Sequence, residues 1–195
     1  MPAVLPRPIA DLHLMQAFQG YAVPISQCIK SSTDEIIFVA DKEKERYSDF
    51  VTSHSNEYLL GKVMTVLNER QKEIVLIQID NKLVSSSSAQ PICDCAIADE
   101  EVFRFVEFKT NALGNTDNAY SQTYETAMRQ LSSSIQLFGN KTRQTGFPLK
   151  DKRRLSAHIC TSIRFPRIQT SEIGYAVKFG LLEHLPLYFD SKISM

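Results

Sequence analysis

An α/β fold with a mixed central sheet flanked by helices is what this chain predicts. Two observations carry that expectation. Short apolar runs rich in β-branched residues are interleaved with helical patterns, in the order helix, strand, strand, strand, helix, strand. One helical pattern, from about residue 118 to 138, also places Tyr120, Tyr124, Ala127, Leu131, Ile135 and Phe138 on a single stripe. Long connections through helices suit a mixed sheet covered on its faces.

The elements follow in order. Residues 10–18 predict a short helix, and Pro24 ends any continuation. Residues 35–40 read as a short strand, and 41–46 are charged and exposed. From 48 to 70 the apolar residues Phe50, Val51, Tyr58, Leu59, Val63, Val66 and Leu67 fall near steps of three and four, which predicts a helix capped by Ser55 or Asn56. Residues 73–80 form a β-branched strand, and 81–90, with its serine run, a polar loop closed by Pro91. Strands at 92–98 and 102–110 are joined by Asp99-Glu100-Glu101. A loop with Gly114 and Asn115 precedes the long helix, for which Thr116 or Asp117 is the cap and Gly139-Asn140 the end. Residues 141–154 are a basic connector, 157–165 a strand stopped by Pro166, and 175–179 one more strand, with 181–189 at the periphery. These boundaries give an extension over 1–47, a core over 48–166 and a C-terminal extension over 167–195 packing on the core.

Composition narrows the classes. The 195 residues are ordinary in hydrophobic content, at 43%, and suit one domain. Charge is balanced, 22 basic against 22 acidic, so nucleic-acid binding would need a local patch rather than a global field. No segment reaches the about 20 apolar residues that span a bilayer, and the proline-rich start is unlike a signal peptide. Cys28, Cys93, Cys95 and Cys160 lack zinc spacing and read as reduced thiols, with Cys93 and Cys95 in the core. A cytoplasmic, reducing compartment without a membrane is the expectation.

Chemistry concentrates on two adjacent strands. Asp94 stands on the first and Glu107-Phe108-Lys109 on the second, the two acids thirteen residues apart. The two-residue period puts Glu107 and Lys109 on one face and Val106 and Phe108 on the other. Asp80-Asn81-Lys82 and Asp190-Ser191-Lys192 have the same acid-x-lysine form. The first lacks a preceding acid-bearing strand and reads as a strand end running into a turn.

The αβββαβ order, with Asp94 on the second strand and Glu107-x-Lys109 on the third, resembles the restriction-endonuclease-like, or PD-(D/E)XK, nuclease superfamily over about residues 50 to 165. Where that family often carries proline before the aspartate, this chain has Cys93. The resemblance implies a metal-dependent nuclease cutting phosphodiester bonds of DNA or RNA, with Asp94, Glu107 and Lys109 catalytic. It further implies that Asp94, Glu107 and the Phe108 main-chain carbonyl ligate Mg²⁺, for which Mn²⁺ can substitute. An added acid from the first helix would be Glu57, with Glu69 second. Mg²⁺ favours such hard oxygen ligands, and a lysine beside the attacking water stabilises developing charge. His54 reads as a surface or capping residue. Lys141, Arg143, Lys150, Lys152, Arg153 and Arg154, with Arg164 and Arg167 beyond, are the candidate path for a phosphate backbone. The alternatives are a catalytically silent nuclease-fold protein that binds nucleic acid or serves as a structural subunit, and an unrelated α/β interaction protein in which the triplet is accidental. The bland reading of Glu107 and Lys109 is a solvent-facing cross-strand ion pair. A homodimer or a partner subunit is left open.

Overall fold

The computed structural model describes residues 5–85, 91–112 and 116–195. Two mixed sheets, flanked by helices, make an α/β protein. The six-stranded sheet runs β1 (Ile29–Ser32), β5 (Ile74–Gln78), β6 (Cys95–Ala98), β7 (Val102–Lys109), β8 (Arg154–Thr161), β9 (Leu187–Tyr188). The four-stranded sheet runs β10 (Lys192–Ser194), β4 (Met64–Leu67), β2 (Ile36–Lys42), β3 (Tyr47–Val51). Strands β5, β6 and β7 form an antiparallel meander, and β8 returns parallel to β7 after helix α4 (Asp117–Gln144). Every residue of β5 and of β6 is buried, as expected for central strands covered on both faces.

The two faces of the larger sheet build two cores. Phe103 and Phe105 of β7 point toward the helices and pack with Phe138 of α4 and Phe18. Val106 and Phe108 point the other way and join Ile37, Val39, Met64 and Val66 of the smaller sheet. The molecule is thus layered helix, sheet, sheet. Since side chains alternate along a strand, Glu107 and Lys109 continue the row of Phe103 and Phe105 and face α4. The stripe expected on α4 is buried at all six positions, and Thr116 caps the helix, its Oγ1 accepting from the Ala119 amide at 3.2 Å.

Several expectations are corrected. Residues 48–70 are not one helix but β3, a single turn α3 (Asn56–Leu59) and β4. Ser55 does cap, but only that turn, accepting from the Tyr58 amide at 3.2 Å. Gly61, at φ 64°, then reverses the chain, and burial in β4 alternates with a period of two. The apparent three-and-four spacing came from summing two strands and a turn. Residues 175–179 are not a strand but lie inside helix α6 (Gln169–Glu183), where Phe179 is buried and Val177 faces out. Helix α4 passes through Gly139-Asn140, because Phe138 and Thr142 beyond are buried, and it gives way to a turn with Gly146 at φ 79°. The helix expected at 10–18 is split at His13, φ 51°, into α1 (Arg7–Ala10) and α2 (Leu14–Ala17). The basic connector ends in the short α5 (Leu149–Lys152) and runs into β8, which closes at Thr161 rather than 165. Residues 1–47 supply β1 to one sheet and β2 to the other. The loop serines 86–88, Gly114 and Asn115 lie outside the described residues. All four cysteines are free and buried. Among the described residues no helix is long and apolar enough to cross a membrane.

Candidate metal centre

The sheet register brings Asp94 and Glu107 side by side. Cys95 pairs with Val106, so the next position outward sets Asp94, just before β6, against Glu107 near the end of β7. Three main-chain bonds fix Asp94. Its carbonyl accepts from the amides of Ile79 and Asp80 at 3.1 and 3.2 Å, and its Oδ2 accepts from the Phe108 amide at 2.6 Å. Phe108 therefore meets the site through its N–H, while its side chain enters the core between the sheets.

Glu107 is only 1% exposed. Its Oε1 lies 2.6 Å from Lys109 Nζ, and its Oε2 is buried without a hydrogen-bond partner. Lys109 also donates to Gln130 Oε1 of α4 at 2.8 Å, and Gln130 Nε2 donates to the Ile92 carbonyl at 3.2 Å. Gln130 so ties the lysine to the segment that carries Asp94. Sequence reasoning missed it, although it lies one position before Leu131 of the apolar stripe, at the edge of the buried face.

Burial shapes the electrostatics. It raises the Glu107 carboxyl to about 7, against the opposing pull of Lys109 and the Asp94 amide, with Asp41 adding to the rise. Asp94 is held well above the usual carboxylate range by burial, by Glu107 and by Asp41, with the Phe108 amide and Lys109 opposing. Asp41, near the end of β2, is raised by burial, by Asp80 and by Glu43. Asp80 is raised by burial against Asn81, Arg46 and Lys109. Isolated buried carboxylates are costly, and here several share one region at the strand ends. Asp80 does begin a turn, with Asn81 at φ 57°, but that turn lies beside Asp94. Asp41 arrives from the second sheet, and no local pattern announces it.

Other expected residues stand elsewhere. Glu57 is in the single-turn α3 and lines a groove of about 530 Å³ with Asp41, Lys42, Glu43 and Lys62. Glu69 is exposed beyond Leu67, which pairs with Ile36 at the start of β2, whereas Asp41 is near the other end of that strand. His54 is exposed in the turn before α3. The basic connector enters the sheet at the far end. Arg154 pairs with Val102 and Thr161 with Lys109, seven residues along, or about 23 Å at about 3.3 Å per residue. There Arg153 is paired with Asp11 at 3.6 Å and Arg154 with Glu101 at 3.2 Å, while Lys141 lies over the Tyr21 ring. Arg164 and Arg167 follow the end of β8 nearer the acids, Arg167 being held by Glu172 at 2.9 Å.

The donor set suits Mg²⁺, which takes one or two carboxylates and keeps several waters. Glu107 keeps one buried oxygen beside Asp94 without a hydrogen-bond partner, where a cation would fit. Among the described residues no three His, Cys, Asp or Glu side chains form a group able to hold an ion jointly. Comparison with protein-family models, with curated proteins and with solved structures finds no match for this chain.

Proposed function

We propose that the protein is a metal-dependent nuclease of restriction-endonuclease-like type, hydrolysing phosphodiester bonds of DNA or RNA. The observation that carries this reading is Glu107, buried beside Asp94 with one oxygen on Lys109 and the other free. The meander β5–β6–β7 followed by α4 and a parallel β8 supports it, as do the positions of Asp94 and Glu107 at neighbouring strand ends.

Asp94 and Glu107 would hold Mg²⁺. A bound Mg²⁺ polarises a phosphoryl oxygen and eases deprotonation of its water. Lys109 spends two donor positions on Glu107 and Gln130, leaving a third for the charge that develops on the phosphate. Glu107 would thus set the lysine with one oxygen and help hold the ion with the other.

A silent, structural role is the second reading. It is favoured by the Glu107–Lys109 contact and the Phe108–Asp94 bond, which balance part of the site without a cation.

Incubation of the intact chain with single- and double-stranded DNA and RNA decides between them. Cleavage that requires Mg²⁺ or Mn²⁺, vanishes in Asp94→Asn and Glu107→Gln, and falls about 10²-fold or more in Lys109→Met is expected. Absence of cleavage on all four substrates, or cleavage undiminished in the variants, overturns the nuclease.

A further inference from the structure

The geometry points to Asp41 and Asp80 as an outer carboxylate pair of the same cation centre, holding the waters of an ion that Asp94 and Glu107 bind directly. This rests on the metal reading above.

Three contacts bring the second sheet to the site. Asp41 pairs with Ser48 across the β2–β3 hairpin. The Ser48 carbonyl accepts from Gln78 Nε2 at 2.8 Å, a buried bond between the sheets. Gln78 in turn pairs with Cys95, the residue after Asp94. The chain of partners therefore runs from Asp41 through Ser48, Gln78 and Cys95 to Asp94. Asp80 lies two residues past Gln78, and its amide donates to the Asp94 carbonyl. Lys62 closes the same end, donating to Glu43 of the hairpin and to Asn111 just after β7.

Four carboxylates, Asp41, Asp80, Asp94 and Glu107, crowd this end of the sheets, with Lys109 near all four and Arg46 near Asp80. Burial raises the carboxyl of each, and the crowding is one that a divalent ion would relieve. Glu107 Oε2, buried and unpartnered, marks where it would be ligated. Asp41 and Asp80 do not group with the direct pair as a joint ligand set, so their route to the ion is its water shell. Mg²⁺ retains that shell, and partners beyond the direct ligands commonly govern affinity by 10–100-fold. Asp41 also lines an open groove with Glu43, Glu57 and Lys62.

Mn²⁺ titration of the intact chain at pH 8, by calorimetry and electron paramagnetic resonance, tests the assignment. Asp41→Asn and Asp80→Asn should each weaken Mn²⁺ about tenfold, Asp41→Glu should recover part of the loss, and Asp94→Asn should abolish binding. Glu125→Gln, on the exposed side of α4, should bind as wild type. Without metal, neither asparagine variant should melt lower than wild type, because each removes a like charge. If both asparagine variants bind within twofold of wild type while Asp94→Asn does not bind, the outer pair is wrong and the direct pair stands. If wild type binds no Mn²⁺ at millimolar concentration, the metal reading itself falls.

Discussion

Lys109 and Glu107 lie two residues apart on the same face of β7, their Nζ and Oε1 2.6 Å from each other, while the second carboxylate oxygen of Glu107 has no partner. Half of a fully buried carboxylate is thus compensated by protein. On the proposed reading, the remaining oxygen governs how the chain responds to pH and to cations.

Metal-free stability should fall as pH rises through the range where Glu107 ionises. Its carboxyl holds a proton up to about 7 in the folded chain, against an ordinary glutamate value of 4.5. Below 4.5 both states are protonated and the group has no effect. Between 4.5 and about 7 the unfolded chain ionises first, so folding is progressively disfavoured. His158, lowered to about 3 by burial and by Arg104, acts in the opposite sense, since stability it contributes above 6.5 is lost on acidification. Comparing wild type with Glu107→Gln separates the two. The variant should match wild type at pH 4 and exceed it by on the order of 2 kcal/mol at pH 8, read from thermal melts.

Mn²⁺ binding should expel protons near neutrality. At pH 6.5 Glu107 is largely protonated and must ionise to ligate. Calorimetry in buffers of differing ionisation enthalpy should show net proton release at pH 6.5 that shrinks by pH 8.5. A release unaffected by pH would contradict the assigned role of Glu107.

Gln130→Ala should loosen Lys109 without unmaking the ion site. The lysine keeps Glu107 and loses its α4 anchor. Cleavage is expected to drop about tenfold with Mn²⁺ affinity within about twofold, the pattern of a positioning residue. An equal loss of both would make Gln130 a structural support of the Ile92 segment instead.

Phe138→Ala should cost about 3–5 kcal/mol. The ring is fully buried against Phe18, Phe103 and Phe105, where α4 seals the sheet face that carries Glu107. Denaturant unfolding reads the loss. A cost under 1 kcal/mol would mean that α4 does not pack on this face.

The sequence discloses the hairpin and the long helix because their signals are local. The register of β6 and β7 follows from a short turn, so Asp94 and Glu107 can be paired from the chain alone. Thr116 and the six-residue stripe mark α4 for the same reason. Of the second sheet only β2 is announced locally, at 35–40; its pairing with β3, β4 and the distant β10 is not. Asp41 is therefore invisible as a neighbour of Asp94, and Glu57, expected on a leading helix, stands on a single turn instead. The strand misread in α6 shows the same limit. Tyr175, Val177 and Phe179 alternate, and only packing against Tyr124 and the sheet selects the helix.

A crystal soaked in Mn²⁺ and measured at a wavelength where manganese scatters anomalously tests the central claim most directly. One peak within about 2.2 Å of a carboxylate oxygen from both Asp94 and Glu107, with Lys109 still on the opposite oxygen of Glu107, is the predicted result. Crystals that take up millimolar Mn²⁺ elsewhere, or not at all, while Glu107 Oε2 stays bare, would contradict it.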